Sequence, residues 1–339
     1  MLINAYSTRH ESVPHDFADA DERFRWHESG EQDAAFATAL TELDDYISRA
    51  GVGQSAESIR ALQRHVLDTQ RSYAFNLDSG DPAQLAELAD WATSANAILV
   101  AEGALVDAIG RPLLAGKHGA PTGKAPLTAE STQRAQMIRS WLASAHGLQV
   151  PGDLAPVRSK AEILPRDADD VGLRIVGLVM TSDFASSVIA NHPLDQRAMQ
   201  AVFPRAIAAL PDSERELFKD RDATAARGMQ RRIEAANELL WATGRTTLGW
   251  PSAGCKPSQV KDLVLRRGES GFLDRLQLRD IDELTDEYEC LSSLMWALDN
   301  QQAMRPAVHS DADPLIVAQR LAALEWLLNP QLAWDDIDA

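Results

Sequence analysis

The stretch AGKHGAPTGKAP, residues 115–126, divides this chain. Three Gly, two Pro and two Lys, with almost no large apolar side chain, give it the composition of an exposed linker. The periodicities on its two sides differ. Upstream, LINAY (2–6) and SYAFNL (72–77) are short aliphatic- and aromatic-rich runs that predict strands. AILVA, Glu102-Gly103 and ALVDA (97–108) predict two strands around a tight turn, and Ile109-Gly110 with RPLL predicts a third. Asp81-Pro82-Ala83-Gln84 reads as a helix start: Asp81 caps, Pro82 suits the first helical position, and Gln84 reaches back in a capping box. That helix runs to about Ser94, and residues 33–49 and 55–67 are helical candidates. Strand, helices, strand, helix and a strand meander predict a small α+β sandwich.

Downstream the period is helical. Ile281, Leu284, Tyr288, Leu291, Met295 and Leu298 step by threes and fours along one stripe. Met229, Ile233, Ala236 and Leu240 do the same, as do Val317, Leu321, Leu324 and Leu328. Thr128 offers a cap for a helix from Ala129. Ser213 with Glu216 fits a capping box, and Asp313-Pro314 is a cap followed by Pro. Further helices are expected near 129–145, 167–182, 194–202 and 257–266; the apolar run in 167–182 also reads as a buried strand. The expected fold class is α+β: a small α+β sandwich over 1–115, a linker over 116–128, and an all-helical domain over 129–339.

Composition excludes several classes of function. The 339 residues hold 33 Lys plus Arg and 50 Asp plus Glu, for a net charge of -17. Such a chain lacks the cationic excess for non-specific contact with nucleic-acid phosphates or anionic lipid. Its charge complements a basic protein partner. Cys255 and Cys290 are the two cysteines, too far apart for a CxxC motif, and their scarcity points to a reducing compartment. MLINAYSTRHESVP has no basic start followed by an apolar core, and IVGLVM (175–180) is far shorter than a bilayer span. The expected location is the cytoplasm, with no membrane contact.

Motifs for chemistry fail on their spacing. GKHGAPTGKA (116–125) has His118 where a phosphate loop needs Gly and Ala125 where it needs Ser or Thr. His27-Glu28-Ser29-Gly30-Glu31 has Glu31 where a zinc-protease helix needs its second His. His309, Asp311 and Asp313 could offer oxygen ligands to a hard metal, but a helix-capping loop accounts for them. Ser252-Ala253-Gly254 lacks the upstream Gly of a nucleophile elbow, since position 250 is Trp. No metal site and no cofactor is expected.

Two places remain. Cys255 precedes Lys256-Pro257 at a predicted helix start, where the helix N-terminus and a lysine would both lower a thiol pKa; buried packing is the simpler reading. Of the eight tryptophans, Trp241, Trp296 and Trp326 sit on predicted helices as core, whereas Trp250 lies in the turn-rich GRTTLGWPSAG (244–254) and Trp334 in the tail AWDDIDA (333–339). An aromatic in a loop either plugs the fold or anchors an interface. Asp335, Asp336 and Asp338 could work as acids or bases, but a solvated acidic tail, or a contact to Arg, is the commoner use of such residues.

ELLWATGR (238–245), WPSAGC (250–255) and above all ALEWLLNPQLAWDDIDA (323–339) carry a resemblance. Together with AEILPRDADDVGLRIVGLV (161–179), they make the chain from about 130 to 339 similar to a bacterial family known as domain of unknown function 4272. INAYSTR (3–9) fits an upstream region that often accompanies it. The resemblance implies a helical C-terminal domain and a bacterial cytoplasmic setting, and no activity. The functional expectation is a non-enzymatic protein-binding module, in its most concrete version an immunity-type protein that neutralises a basic toxin. Its candidate binding residues are Trp250, Cys255, Trp334, Asp335 and Asp336. The alternatives are an enzyme assembled around Cys255 with a distant His192 or His309, and a small-molecule sensor.

Overall fold

Alternation with a period of two builds the first sheet. Ile3 and Ala5 bury on one face, Tyr6 on the other, and the same division repeats at Leu99 and Ile98. A computed structural model describes residues 1–26, 31–78, 81–115, 120–300 and 310–337. The chain divides into two compact units, Met1–Thr132 with Arg158–Ile163, and Gln133–Val157 with Leu164–Ala339.

The first unit comprises β1 (Leu2–Ser7), β2 (Ala20–Phe24), α1 (Ala34–Ala50), α2 (Ala56–Asp68), β3 (Arg71–Asn76), α3 (Pro82–Ser94), β4 (Ala97–Ala101) and β5 (Ala104–Val106). The sheet is antiparallel throughout, in the order β2-β3-β1-β4-β5. Leu88, Trp91 and Ala92 of α3 pack on the Ile3, Tyr73, Phe75 and Leu99 face. Leu43 and Ile47 of α1 and Leu62 and Val66 of α2 cover the Tyr6, Ile98 and Leu105 face. Glu102 (φ 50) and Gly103 (φ 78) both take the left-handed region, as a two-residue type I′ hairpin requires.

Three details differ from the sequence expectation. The edge strand β2, ADERF, was not anticipated, because it has no apolar alternation. RPLL makes an isolated bridge, Val106 to Pro112, and not a full strand. Asp81 caps Ala83 as expected, but Gln84 accepts from the Asp78 amide, so the box does not close on its cap. Of the segment read as a linker, residues 116–119 lie outside the described residues. Farther along it, Thr122 and Gly123 donate to the Pro112 carbonyl, and Ala125 packs on the α1–α2 core. The segment Arg158–Ile163 is fastened to the same unit through Glu162. That buried carboxylate accepts from Thr8 (2.5 Å), Asn96 (2.9 Å) and Ser159.

The second unit is helical. It holds nearly all of α4 (Ala129–His146), then α5 (Ala168–Ile189), α6 (Gln196–Val202), α7 (Pro204–Ala208), α8 (Asp212–Asp220) and α9 (Ala223–Met229). α10 (Arg232–Ala242), α11 (Pro257–Leu265), α12 (Gly268–Leu273), α13 (Ile281–Asp299) and α14 (Pro314–Leu328) follow. α5 is the central helix, packed by α7 to α12, and Gly172 allows the closest approach: a Cβ there would lie 2.4 Å from Leu273. Among the described residues α5 is the one helix long and apolar enough to cross a membrane, and it is mostly buried within its unit. Its apolar run is therefore helix and not strand. α10 is buried on nearly all sides between α5 and α14. Ser213 does not cap α8. The helix begins at Asp212 after Pro211, and Ser213 in its first turn bonds the tail residue Asp335.

Candidate functional site

The loop GRTTLGWPSAGC (244–255) joins α10 to α11 and is fixed at both ends. Gly244 (φ 69) closes α10: its amide donates to the Trp241 carbonyl, and the next amide, of Arg245, reaches Leu240, a Schellman pairing. Arg320 of α14 donates to the Gly249 carbonyl (2.9 Å). The Asp313 amide donates to the Pro251 carbonyl (2.7 Å), while the Asp313 side chain caps α14. Trp250 donates from Nε1 to Asp311 (2.7 Å) and stacks on His146 at 3.6 Å and 8°. The Cys255 amide donates to Glu234 of α10 (2.6 Å).

So held, the loop and α11 border an open cleft of about 620 Å³, within the volume range of small-ligand sites. Asn237, Trp250, Cys255, Lys256, Arg266 and Arg320 are among its walls. A smaller hollow of about 200 Å³ adjoins it, sharing Asp262, Leu263 and Arg266 and adding Arg245, Arg267 and Phe272. Asn237 is 7% exposed and its side-chain amide has no hydrogen-bond partner among the described residues.

Near Asn237 on α10 lies a buried charge centre with too few partners. Arg320 is 3.7 Å from Glu234 and 3.9 Å from Glu238, beyond hydrogen-bond distance. Both oxygens of Glu238, one of Glu234 and the Arg320 Nε have no hydrogen bond. Burial pushes the Glu238 carboxyl well above the usual carboxylate range; Glu287 adds to this and Arg320 opposes it. Burial raises Glu287 as well. One guanidinium is set among three carboxyls here.

Cys255 does not have the low pKa that its helix-start position suggests. Burial, and then the Glu234 carboxylate, push the thiol up to about 12. Burial and three neighbouring glutamates push Cys290 up to about 12 as well. Among the described residues, none lining the cleft is a histidine, so His192 lines no part of it. His309, His27 to Gly30 and Asp338 lie outside the described residues. No group of acidic, His or Cys residues among the described residues has metal-binding geometry.

The other predicted residues gather elsewhere. Trp334 is buried against Trp326, and the Arg174 guanidinium lies 4.0 Å from its ring centroid. Asp335 accepts from the Ser213 amide and hydroxyl; those bonds, with Arg232 and Arg174 nearby, hold its carboxyl below the usual range although burial opposes them. Asp336 is exposed. The tail thus ties down an ion-pair centre in which Glu214 accepts from Arg174 (2.5 and 3.0 Å), Arg232 and Thr181 (3.0 Å). Trp250 and Cys255 share the cleft; Trp334, Asp335 and Asp336 do not line it. Sequence reasoning missed Asn237 and Arg320. Arg320 had a signal: it is the one charge among the first eleven residues of α14, PLIVAQRLAAL.

The family model described as "Domain of unknown function (DUF4272)" matches residues 134–337. Comparison with curated proteins and with solved structures finds no match.

Proposed function

Because the chain belongs to the DUF4272 family, whose description carries no activity, we propose a function from the cleft itself: a non-enzymatic binding module that seats part of its partner against Trp250 and Asn237. The observation that carries this reading is Asn237. The residue is 93% buried, yet its amide makes no hydrogen bond among the described residues and is not one of the fully enclosed unsatisfied groups, so it reaches the cleft. It faces a cleft where a ligand could supply the missing bonds. The chemistry of Cys255 supports binding over catalysis, since a thiol near 12 is almost wholly protonated at neutral pH. The bacterial, cytoplasmic setting belongs to the same proposal. The basic-partner version draws no support from the cleft, whose walls are more cationic than anionic.

Two measurements test it. Titration with a disulfide reagent at pH 8 should find both thiols at least about tenfold slower than in the unfolded chain, because raising the pKa from 9.0 to about 12 cuts the thiolate fraction by more than the gain in nucleophilicity returns. Fast reaction confined to Cys255 would favour the enzyme reading. A thermal-shift screen of fragments and short peptides should yield ligands that raise the melting temperature of the wild type and not of Asn237→Leu. Ligands that act equally on both proteins would remove the cleft from the account.

A further inference from the structure

The cleft also indicates the charge and shape of what fills it. α11 begins on Lys256, with no side-chain cap and Pro257 behind it. A lysine at a helix N-terminus adds positive charge to the positive end of the macrodipole, which is unfavourable. This chain has 50 acidic residues, and other helices in it begin on Asp: α3, α5, α13 and α14 all do. α10 and α12 begin on Arg231 and Arg267; the cationic start at Lys256 opens onto the cleft. Lys256, Gln259, Leu263 and Arg266 recur by threes and fours, so one face of α11 forms a wall about 15 Å long at 1.5 Å per residue. A cation stands at each end. Lys256, Arg266 and the adjoining Arg267 are exposed and have no ion pair or hydrogen bond from their side chains among the described residues. Among the described residues Asp262 is the one carboxylate of the walls, and it sits between the two ends. Asn237 is the independent sign of a ligand: nine-tenths buried, unpartnered, and able both to donate and to accept, as a peptide group needs.

We infer that the cleft receives an extended acidic peptide segment, with acidic residues at each end of a four- or five-residue stretch and apolar ones between. Such a stretch spans about 15 Å at roughly 3.3 Å per residue. Its terminal carboxylates meet Lys256 with the α11 N-terminus and Arg266 with Arg267. Its backbone bonds Asn237, and its apolar middle lies along Leu263 and Trp250. The inference rests on the binding reading above and adds the ligand class.

The test is calorimetric titration of the full chain with acetyl-EEALAEE-amide, its QQALAQQ and KKALAKK counterparts, succinate and inorganic phosphate, at low and at 300 mM salt. The acidic peptide should bind at least tenfold more tightly than the glutamine peptide at low salt and lose most of that advantage at 300 mM. Lys256→Glu with Arg266→Glu, both exposed and so compatible with folding, should abolish the difference. Asn237→Leu should weaken the acidic peptide at both salts. Equal binding of the acidic and glutamine peptides would overturn the inference, as would an acidic preference that survives both charge reversals. Binding of phosphate or succinate alone would make the site one for small anions and overturn the peptide assignment. Preference for the lysine peptide, lost in Asn237→Leu, would overturn the charge assignment and leave the binding module standing. If no probe and no screened fragment depends on Asn237, both fall.

Discussion

Among the buried arginine–glutamate centres of the helical unit, which include Arg139 with Glu289 (2.9 Å), those around Glu214 and around Arg320 are built on opposite terms. Around Glu214, two guanidiniums and a threonine hydroxyl satisfy one carboxylate, and Trp334 lies over Arg174. Around Arg320, one guanidinium faces Glu234, Glu238 and Glu287, and four polar atoms of Arg320, Glu234 and Glu238 have no hydrogen bond. The carboxylate of the first centre has its partners inside the fold, although the Arg174 Nε has no hydrogen bond, and the tail seals it. The second lies beside the cleft, which Arg320 itself lines. The contrast leaves the Glu214 carboxylate satisfied within the fold and the Arg320 centre short of hydrogen bonds beside the cleft.

The largest effect should come from breaking the satisfied centre. Glu214→Ala leaves Arg174 and Arg232 without their anion and should cost about 3–5 kcal/mol in urea denaturation. A loss below 1 kcal/mol would erase the distinction between the centres. Next, Trp334→Ala removes the ring over Arg174 and a contact to Trp326, and should cost about 3 kcal/mol by the same assay.

The starved centre should respond in the other direction, and with pH. The folded Glu238 pKa is raised, so its contribution to stability is present below the unfolded value, near 4.5, and is lost as pH rises toward the folded value. The Glu214 and Asp335 pKa values are lowered. Burial opposes this shift in both; the Arg174 pairing prevails at Glu214, and the Ser213 hydrogen bonds prevail at Asp335. Their stability is present above the unfolded values and is lost as pH falls from there through the folded values. Glu238→Gln, which mimics the protonated acid, should therefore match the wild type near pH 4.5. It should exceed the wild type by about 1–3 kcal/mol at pH 8, the cost of an unsatisfied buried group. Melting temperatures at the two pH values check this, and a variant less stable at pH 8 would contradict it.

Much of the architecture was legible because it rests on period. The alternation in β1 and β4, the stripe in α13, and Asp313-Pro314 are local signals for local structure. β2 was hidden because ADERF is held as an edge strand by pairing with β3 and by Arg71 bonding Glu22, which no short window contains. The Ser213 reading failed because its partner, Asp335, lies 122 positions away. The site was half legible. Trp250 and Cys255 stand out as an aromatic and a thiol in a turn. Asn237 does not, because nothing local says that α10 is buried on every side and that its polar residues are therefore inside. The Cys255 pKa reversed for the same reason: the local lysine and helix start are visible in sequence, whereas burial and Glu234 are not.

The most direct test of the contrast is the stability of Asn237→Leu. If the amide is kept for a ligand, removing it gives up no hydrogen bond inside the fold and replaces a polar group facing the cleft with an apolar one. Urea denaturation at pH 7, without ligand, should then find the variant as stable as the wild type or more stable by up to about 1 kcal/mol, in line with the stability–function trade-off. A loss of more than about 1 kcal/mol would show that Asn237 serves the fold. The cleft would then lose its claim to be the place where this protein meets its partner.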